Sequence, residues 1–392
     1  MISDPRRIDS PLCILESPRL QQLIDVLTDH GYCVIGPTLR DQTVTYDEIQ
    51  ALDDLPVGWV DEQSGGTYRL RQTGTSVIFG CTVSPQSWKR WLHPPSETLW
   101  RAKRVDGRFE VMADQQSPPR YAFLGVRPCE LAAIRIQDRV FLDGEFIETR
   151  YRARREAAFI IVVNCGRAGG TCFCASMNTG PEAIDGFDLS LTEVIDDGRH
   201  YFVMQAGSPA GQDILSELPH QPAADQEIEA ARRVISEAAM NMGRQLNTDG
   251  LRDLLYRNYE HPRWEALAQR CLTCGNCTQV CPTCFCVTVE DVTTLNGDEA
   301  QRVRKWDSCF TMDFSYIHGG SIRYSAKSRY RQWMTHKLAT WLDQFGTFGC
   351  VGCGRCITWC PVGIDITEEA SIIRASDNQT LATKKANRDE EF

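Results

Sequence analysis

Two cysteine runs near the C-terminus share one spacing: residues 271–282 read CLTCGNCTQVCP and residues 350–361 read CVGCGRCITWCP. In each run, three cysteines follow a CxxCxxC spacing, and a fourth comes after three further residues, directly before a proline. A CxxCxxC turn places three thiolates at the separation of three corners of a 4Fe-4S cluster. A zinc ribbon would instead show CxxC pairs without a third close cysteine. The two runs therefore predict two 4Fe-4S clusters.

The ligands of the two clusters follow from these runs. In bacterial two-cluster ferredoxins, the fourth cysteine of each run ligates the cluster of the other run. The first cluster is thereby predicted to bind through Cys271, Cys274, Cys277 and Cys360, and the second through Cys350, Cys353, Cys356 and Cys281. The assignment of three cysteines within each run is based on their spacing. The assignment of each fourth cysteine to the other cluster is based on the ferredoxin pattern.

The composition is that of a globular protein with more than one domain. The chain has 392 residues, of which 42% are hydrophobic and 24% are charged, and these values lie within the range of folded domains. The formal net charge of -10 argues against nucleic acid as a partner, because phosphate binding needs positive charge. The longest apolar run, near residues 157–163, is far shorter than the ~18 residues of a membrane span. We therefore expect no membrane association.

The 18 cysteines of the chain indicate a reducing compartment. They cluster by metal-site spacing rather than in the pattern of a disulfide framework. Arg6 and Arg7 could belong to a twin-arginine export signal, but no apolar stretch follows them. The cytoplasm is therefore the expected location.

The N-terminal half shows an alternation of strands and helices. Residues 67–81 and 108–113 alternate in polarity and are rich in β-branched residues, so they predict strands. The apolar stretch 121–126 predicts a buried strand, and residues 130–141 follow with apolar residues at helical spacing. A second apolar stretch, 158–163, again predicts a buried strand. An α+β or α/β N-terminal domain with a partly parallel sheet is the simplest arrangement.

The C-terminal half is predicted to be helical. Residues 223–246 are rich in alanine and glutamate and predict one long helix that bridges two domains. The spacer between the cysteine runs is much longer than in a compact β-rich ferredoxin, so we expect an all-helical dicluster ferredoxin domain. A capping pattern at Asp365 predicts a last helix through Arg374. The expected division is an α/β domain at 1–222, a helical bridge at 223–262, the ferredoxin domain at 263–374 and a frayed tail at 375–392.

Four further cysteines follow the two buried strands. Cys129 comes where the first strand ends, Cys165 where the second ends, and Cys172 and Cys174 lie in the glycine-bearing loop that follows. The carboxyl ends of parallel strands meet at one edge of a sheet, where ligands gather. We expect these four sulfurs to converge on a third 4Fe-4S cluster. The alternative is that they are small buried residues of the core.

Two features leave alternatives open. Cys284, Cys286 and Cys309 have no fourth partner at motif spacing, so they are either buried neighbours of a cluster or ligands themselves. The stretch 321–340 carries five lysines and arginines and no acid. It is either a solvated helix face or a source of positive charge for cluster thiolates or for an acidic protein partner. The chain has no GxGxxG after a strand and no Walker A loop, so no nucleotide site is expected.

Seven short motifs identify a resemblance to a known family. In chain order they are GVRPCE, VVNC, CFCASMNTGP, CPTCFC, KWDSCF, RYRQWMTHK and GCVGCGRCITWCP. With these motifs the chain, from Tyr121 to Asp365, resembles the iron-sulfur beta subunit of cytoplasmic NAD(P)-linked nickel-iron hydrogenases, the sulfhydrogenases. It is equally similar to the corresponding iron-sulfur subunit of anaerobic sulfite reductase. The acidic position is Glu130 here, where aspartate is usual in the family, and the first ~100 residues match less clearly.

The resemblance implies an electron-transfer subunit. Such a protein relays single electrons between a flavin-containing subunit that handles NAD(P)H and a nickel-iron hydrogenase, and it breaks no substrate bond itself. It would work within a hetero-oligomer in the cytoplasm. Two other interpretations stay open: an electron-transfer subunit that serves the siroheme subunit of anaerobic sulfite reductase, and a catalytic sulfur-reducing iron-sulfur protein.

Overall fold

The computed structural model of this chain describes residue 8 and residues 10–113 and 118–390. Arg6 and Arg7, discussed above as part of an export signal, lie outside the described residues. Among the described residues, no helix is both long and apolar enough to cross a membrane.

Strands occur in both halves of the chain. They are β1 (Cys13–Glu16), β2 (Cys33–Arg40), β3 (Thr43–Glu48), β4 (Trp59–Ser64), β5 (Thr67–Gln72), β6 (Ser96–Val105), β7 (Arg108–Ala113), β8 (Tyr121–Val126), β9 (Phe159–Val163), β10 (Leu189–Asp196), β11 (Arg199–Ala206), β12 (Gln221–Pro222), β13 (Val287–Thr293), β14 (Glu299–Trp306), β15 (Tyr316–Ile317) and β16 (Gly320–Ser321).

The helices lie between and after these strands. They are α1 (Leu20–Asp29), α2 (Lys89–Leu92), α3 (Pro128–Leu142), α4 (Thr149–Ala157), α5 (Pro209–Ser216), α6 (Asp225–Met240), α7 (Leu251–Arg257), α8 (Arg263–Arg270), α9 (Asn276–Gln279), α10 (Ala326–Thr335), α11 (Trp341–Phe345), α12 (Arg355–Thr358) and α13 (Ile366–Glu390). A π-helical turn, His336–Thr340, joins α10 to α11.

The larger sheet is parallel at its centre and antiparallel at its flanks. Its order is β12-β1-β11-β10-β9-β8-β2-β3, and the pairs β10·β9, β9·β8 and β8·β2 are parallel. Apolar side chains of α1 cover one face of the central strands, and those of α3 cover the other. Because both faces are covered, β8 and β9 are continuous apolar stretches. The predicted strands at 121–126 and 158–163, the helix at 130–141 and the partly parallel sheet are therefore confirmed.

The second sheet differs from what was expected for the C-terminal half. Its order is β13-β14-β6-β7 with antiparallel pairing throughout, so a hairpin between the two cysteine runs pairs with a strand from the N-terminal half. The all-helical expectation for residues 263–374 is thus not confirmed. The hairpin strands alternate β-branched and charged residues, a pattern that fits a sheet with one solvated face. Their partner β6 lies about 200 residues away in sequence, and local patterns do not identify so distant a partner.

Two helix boundaries also differ from expectation. The helix predicted for 223–246 ends at Met240, because the next residues turn toward the loop that carries Cys172. Gly243 approaches the backbone of Gly170 so closely that a Cβ atom would lie 2.2 Å away, and the Arg244 amide donates to the Cys172 carbonyl at 2.9 Å. The last helix, α13, continues past the predicted end at Arg374 to Glu390.

Candidate iron-sulfur centres

The first group of predicted ligands surrounds one cavity. Cys271, Cys274, Cys277 and Cys360 line a cavity of about 420 Å³ together with Cys356. Helix α8 ends at Arg270, the short helix α9 begins after the left-handed Gly275, and the chain between them carries the first two cysteines. Apolar side chains such as those of Phe310, Tyr330 and Trp333 form much of the remaining wall. The structure thus brings together the four cysteines that the ferredoxin pattern assigned to the first cluster.

The second group surrounds a neighbouring cavity. Cys281, Cys350, Cys353 and Cys356 line a cavity of about 350 Å³ whose other walls include Phe173, Trp333 and Ile366. Helix α12 begins after Gly354, again in a left-handed conformation, and thereby repeats the geometry of the first run. The fourth cysteine comes from the other run, as in the crossed pattern.

Both cavities suit a cluster bound by thiolates. Backbone amides point at the sulfurs: Thr273 N lies 3.4 Å from Cys271 Sγ, Gly352 N 3.5 Å from Cys350 Sγ, and Ile364 N 3.3 Å from Cys360 Sγ. Such donors stabilise negative charge on sulfur and tune a cluster. Burial raises the pKa of Cys277 and Cys356 well above the usual value, and binding to iron would favour their thiolate form.

A single metal ion fits these groups poorly. Across the described part of the chain, no set of three or more histidine, cysteine, aspartate or glutamate side chains is arranged around one ion. The four ligands of a 4Fe-4S cluster each bind a different iron, so their sulfurs lie farther apart than the ligands of one tetrahedral ion. The CxxCxxC spacing of both runs therefore favours clusters over zinc.

The third group lies at the edge of the larger sheet. Cys129 is in the first turn of α3 after β8, Cys165 follows β9, and Cys172 and Cys174 lie in the next loop. The four thiols are close enough to interact electrostatically: burial raises the pKa of Cys174 above its usual value, and Cys165 and Cys172 raise it further. Burial likewise raises the pKa of Cys129 well above the usual value, with a further increase from Cys174. These interactions place the four cysteines in one region at the edge of the sheet, and their convergence on one cluster stays a prediction.

The three groups are contiguous. Cys356 lines both cavities and so connects the first group to the second. The Cys172 thiol lies 3.9 Å from the Cys353 carbonyl oxygen and so connects the third group to the second. The contact depends on Gly352, where φ is +66° and a Cβ atom would lie 2.6 Å from the Phe173 backbone. A side chain at this position would push the second and third groups apart.

A buried lysine contacts the second group, a role that the sequence predicted only as one of several alternatives. Lys337 Nζ donates to Cys281 Sγ at 3.1 Å, to Thr283 Oγ1 at 3.0 Å and to the Gly349 carbonyl at 3.2 Å. Burial alone would lower the pKa of Lys337, but the nearby Cys281, Cys284 and Cys350 raise it well above the usual value. The positive charge therefore persists beside the sulfurs.

The rest of the basic stretch divides between both predicted roles. Arg329 is also buried, and its guanidinium donates to the Phe310 carbonyl in the wall of the first cavity. Lys327 and Arg331 instead pair with Glu260 near the surface. Positive charge at the cysteine groups and a solvated helix face are thus both present within one segment.

A buried ion pair holds the second cysteine run against the N-terminal half. The Arg355 guanidinium pairs with the Glu130 carboxylate, and both side chains are almost completely buried. Arg355 also donates to the Ser84 carbonyl at 2.6 Å, and Glu130 accepts from Trp88 Nε1 at 3.1 Å. Glu130 lies one residue after Cys129, so this pair sets the position of the third group relative to the second. The sequence marks Glu130 as an acidic position beside Cys129 but contains no signal for its partner Arg355.

Three cysteines outside these groups lie close to them. The interaction with Cys281 raises the pKa of Cys284, and the interaction with Cys309 lowers the pKa of Cys286. All three are half-buried. They thus lie beside the second group, whereas Cys13, Cys33 and Cys81 lie apart within the N-terminal half.

Comparison with known proteins agrees with this geometry. Residues 270–364 match the family model described as a 4Fe-4S dicluster domain. The sulfhydrogenase 2 subunit beta of Pyrococcus furiosus is 29% identical to this chain over 335 residues, which are 85% of the chain and 89% of the relative. No solved structure matches the chain significantly. The chain is thus similar to a sulfhydrogenase beta subunit over most of its length and contains a match to a 4Fe-4S dicluster domain, in agreement with the resemblance that its motifs predicted.

Proposed function

We propose that this chain is the electron-transfer subunit of a hydrogenase complex and relays single electrons from a flavin-containing NAD(P)H-binding subunit to a nickel-iron hydrogenase subunit, or in the reverse direction. The name of the relative, a sulfhydrogenase beta subunit, supports a hetero-oligomeric hydrogenase. We expect the complex to work in the cytoplasm.

The contiguity of the three cysteine groups carries this proposal. When bound, 4Fe-4S clusters would supply sites that each accept one electron. Cys271, Cys274, Cys277 and Cys360 would hold one cluster, and Cys281, Cys350, Cys353 and Cys356 a second. Cys129, Cys165, Cys172 and Cys174 would hold a third. The shared Cys356 and the contact between Cys172 and Cys353 would keep neighbouring clusters close.

The groups differ in exposure, which supports an order for the relay. Cys274 is exposed, and its neighbour Leu272 is 60% exposed, whereas Cys129, Cys172 and Cys174 are buried. A redox partner must approach closely at one end of the relay. We therefore expect the partner to dock beside the first group. The buried walls of the other groups exclude water and keep the charges of Lys337 and Arg355 effective.

Removal of one ligand from the middle group tests the relay. In the purified complex, Cys353→Ala should abolish NAD(P)H-linked hydrogen turnover while dye-linked hydrogenase activity survives, because dyes reach the hydrogenase subunit directly. Iron content should fall by about four atoms per chain. Cys33→Ala, a cysteine outside all three groups, should leave both activities and the iron content unchanged.

Two results would contradict the proposal. Unchanged NAD(P)H-linked turnover in the Cys353→Ala complex would exclude the relay. Siroheme in place of nickel in the purified complex would assign the chain to a sulfite reductase instead.

A further inference from the structure

The turn from Cys281 to Cys284, called here the Cys281 turn, is held by two side chains of the N-terminal half. Lys89 Nζ donates to the carbonyl oxygens of Cys281 at 3.1 Å and Cys284 at 3.2 Å. The Pro282 carbonyl between them accepts from Gln137 Nε2 at 3.0 Å. Lys89 belongs to α2 and Gln137 to α3. The N-terminal half therefore fixes the backbone beside a ligand of the second group.

The ammonium group of Lys89 is shielded from water by an aromatic ring. Two carbonyl oxygens accept its hydrogen bonds, and Nζ also lies 3.7 Å from the centroid of the Trp306 ring. Trp306 Nε1 donates to the His93 carbonyl at 3.0 Å, which holds the ring in place. Trp306 also lines a surface cavity of about 600 Å³, whereas Lys89 is only 4% exposed. The ring thus separates the charge from solvent.

The charge of Lys89 has no carboxylate partner. In the described part of the chain, neither Lys89 nor Lys337 pairs with an aspartate or glutamate, although both are buried. Burial lowers the pKa of Lys89 to about 8, while the sulfurs of Cys284 and Cys281 oppose this decrease, so the cation predominates at neutral pH. Two buried cations beside one turn are costly unless an anion lies close to both. A 4Fe-4S cluster bound by four thiolates is such an anion.

We propose that Lys89 is a positioning residue for the second cluster: it fixes the Cys281 turn, and its buried charge raises the reduction potential of that cluster. Reduction adds one negative charge to a cluster, and a nearby cation that water does not screen stabilises the reduced state. Lys89 approaches the turn from the N-terminal half, and Lys337 approaches it from the C-terminal half. The inference rests on the relay proposed above, in which the second cluster is the middle site.

The middle site of a relay needs such a charge. Cys281 and Cys353 are buried, and exclusion of water disfavours the additional negative charge of a reduced cluster. A middle site with a potential far below that of its neighbours would be a barrier, because each electron would have to move uphill to reach it. The two lysines offset this effect of burial and keep the second cluster reducible.

A redox titration followed by paramagnetic resonance tests the charge. In the iron-loaded protein at neutral pH, the signal of the second cluster is the one that Cys353→Ala removes. Lys89→Gln keeps a polar side chain at the turn but loses the charge. It should lower the midpoint potential of this signal by at least about 59 mV, a tenfold change in the equilibrium constant for reduction. Lys89→Arg should lower it much less. An unchanged midpoint in an iron-replete Lys89→Gln protein would overturn the proposal.

Two control variants separate the charge from other effects. Arg90→Gln makes the same change of charge at the next residue, whose side chain lines the surface cavity instead, and should leave the midpoint unchanged. Gln137→Leu removes a neutral donor from the Cys281 turn and should also leave the midpoint unchanged. An equal decrease in Gln137→Leu and Lys89→Gln would show that movement of the turn sets the potential, and the electrostatic role would be wrong.

Iron retention tests the anchoring of the turn. Lys89→Met cannot donate to the two carbonyl oxygens, so it should lose the iron of the second group to a chelator at least about threefold faster than Lys89→Gln. Equal rates would overturn the anchoring role. If both variants lose this iron during purification, Lys89→Arg decides: retained iron with a nearly unchanged midpoint supports the charge, and loss of iron in this variant as well would overturn it.

Failure of this proposal is distinguishable from failure of the relay. An unchanged midpoint in Lys89→Gln removes the role of the lysine, but the relay stands as long as Cys353→Ala abolishes NAD(P)H-linked turnover. Unchanged turnover in Cys353→Ala excludes the relay. The midpoint shift in Lys89→Gln is still measurable in that case, because it is a property of the cluster and its surroundings alone.

Discussion

Single buried charges decide how the cysteine groups would behave. Lys337 and Arg355 are nearly inaccessible to water, and each has a partner that is distant in sequence: Cys281 for the lysine and Glu130 for the arginine. A charge in such surroundings acts strongly because water does not screen it. The electrostatics of the second group therefore depend on two side chains.

Loss of the Lys337 charge should lower the reduction potential of the second cluster. A nearby cation stabilises the more negative reduced state of a cluster. Lys337→Met should therefore lower the midpoint potential, whereas Lys337→Arg, which keeps the positive charge, should lower it much less. A redox titration followed by paramagnetic resonance measures the shift. Lys327→Met, in the adjoining helix α10 but paired with glutamates near the surface, is the control. An unchanged potential in an iron-replete Lys337→Met protein would contradict this role.

Loss of the Glu130 charge should destabilise the fold. Glu130→Gln leaves the Arg355 cation buried without a counter-charge, and breaking a buried pair in this way costs about 3–5 kcal/mol. Urea unfolding measures the loss. Asp291→Asn, which breaks an exposed pair with Arg302, should change stability very little. Equal effects of the two substitutions would show that the buried pair contributes no more than a surface pair.

Short elements around glycines position the second cysteine run. Helix α12 is only four residues long, and Gly352 and Gly354, in the turn before it, both have positive φ and touch the loop of the third group. The hairpin of β13 and β14 extends a sheet that begins with β6 and β7. These elements derive their stability from contacts with the N-terminal half rather than from their own length.

A side chain at Gly352 should disturb the junction of the second and third groups. Gly352→Ala forces a Cβ atom against Phe173 as well as imposing backbone strain, whereas Gly346→Ala imposes the same strain in open space, because φ at Gly346 is +65° and no atom lies within 4 Å of the added carbon. Gly352→Ala should therefore lose more iron and more thermal stability than Gly346→Ala. Equal losses would mean that the close approach is unimportant.

In the whole molecule, the three cysteine groups lie where the N-terminal and C-terminal halves of the chain pack together. The parallel centre of the larger sheet presents the third group at one edge, and the C-terminal half packs its two cavities against that edge. The predicted division at residues 222 and 262 stays a prediction. The second sheet joins strands from both sides of these boundaries.

Iron content should distinguish two clusters from three. If the third group holds a cluster, the anaerobically prepared chain carries about twelve irons, and Cys129→Ser lowers this to about eight. One paramagnetic signal should disappear while the other two remain, because the first and second cavities share no ligand with the third. Cys33→Ser serves as the control. An iron content of about eight in the unsubstituted chain would leave the third group without a cluster.

Local patterns were enough to predict much of this protein. The CxxCxxC spacing is a property of neighbouring residues, so the dicluster domain and the grouping of cysteines along each run were predictable. The same holds for β8, α3 and β9, whose apolar patterns are continuous or helical over a short window. The placement of Cys129 and Cys165 after two neighbouring parallel strands followed from the rule that parallel strands end at one edge of a sheet.

Contacts between distant segments needed the folded chain. The hairpin pairs with β6, helix α6 stops at Met240 because the next residues touch the Cys172 loop, and Lys337 reaches Cys281 across 56 positions. The hairpin places Cys286 opposite Asp307, two residues before Cys309. None of these contacts has a local signature, since sequence spacing describes neighbours along the chain and packing joins residues that the chain keeps far apart.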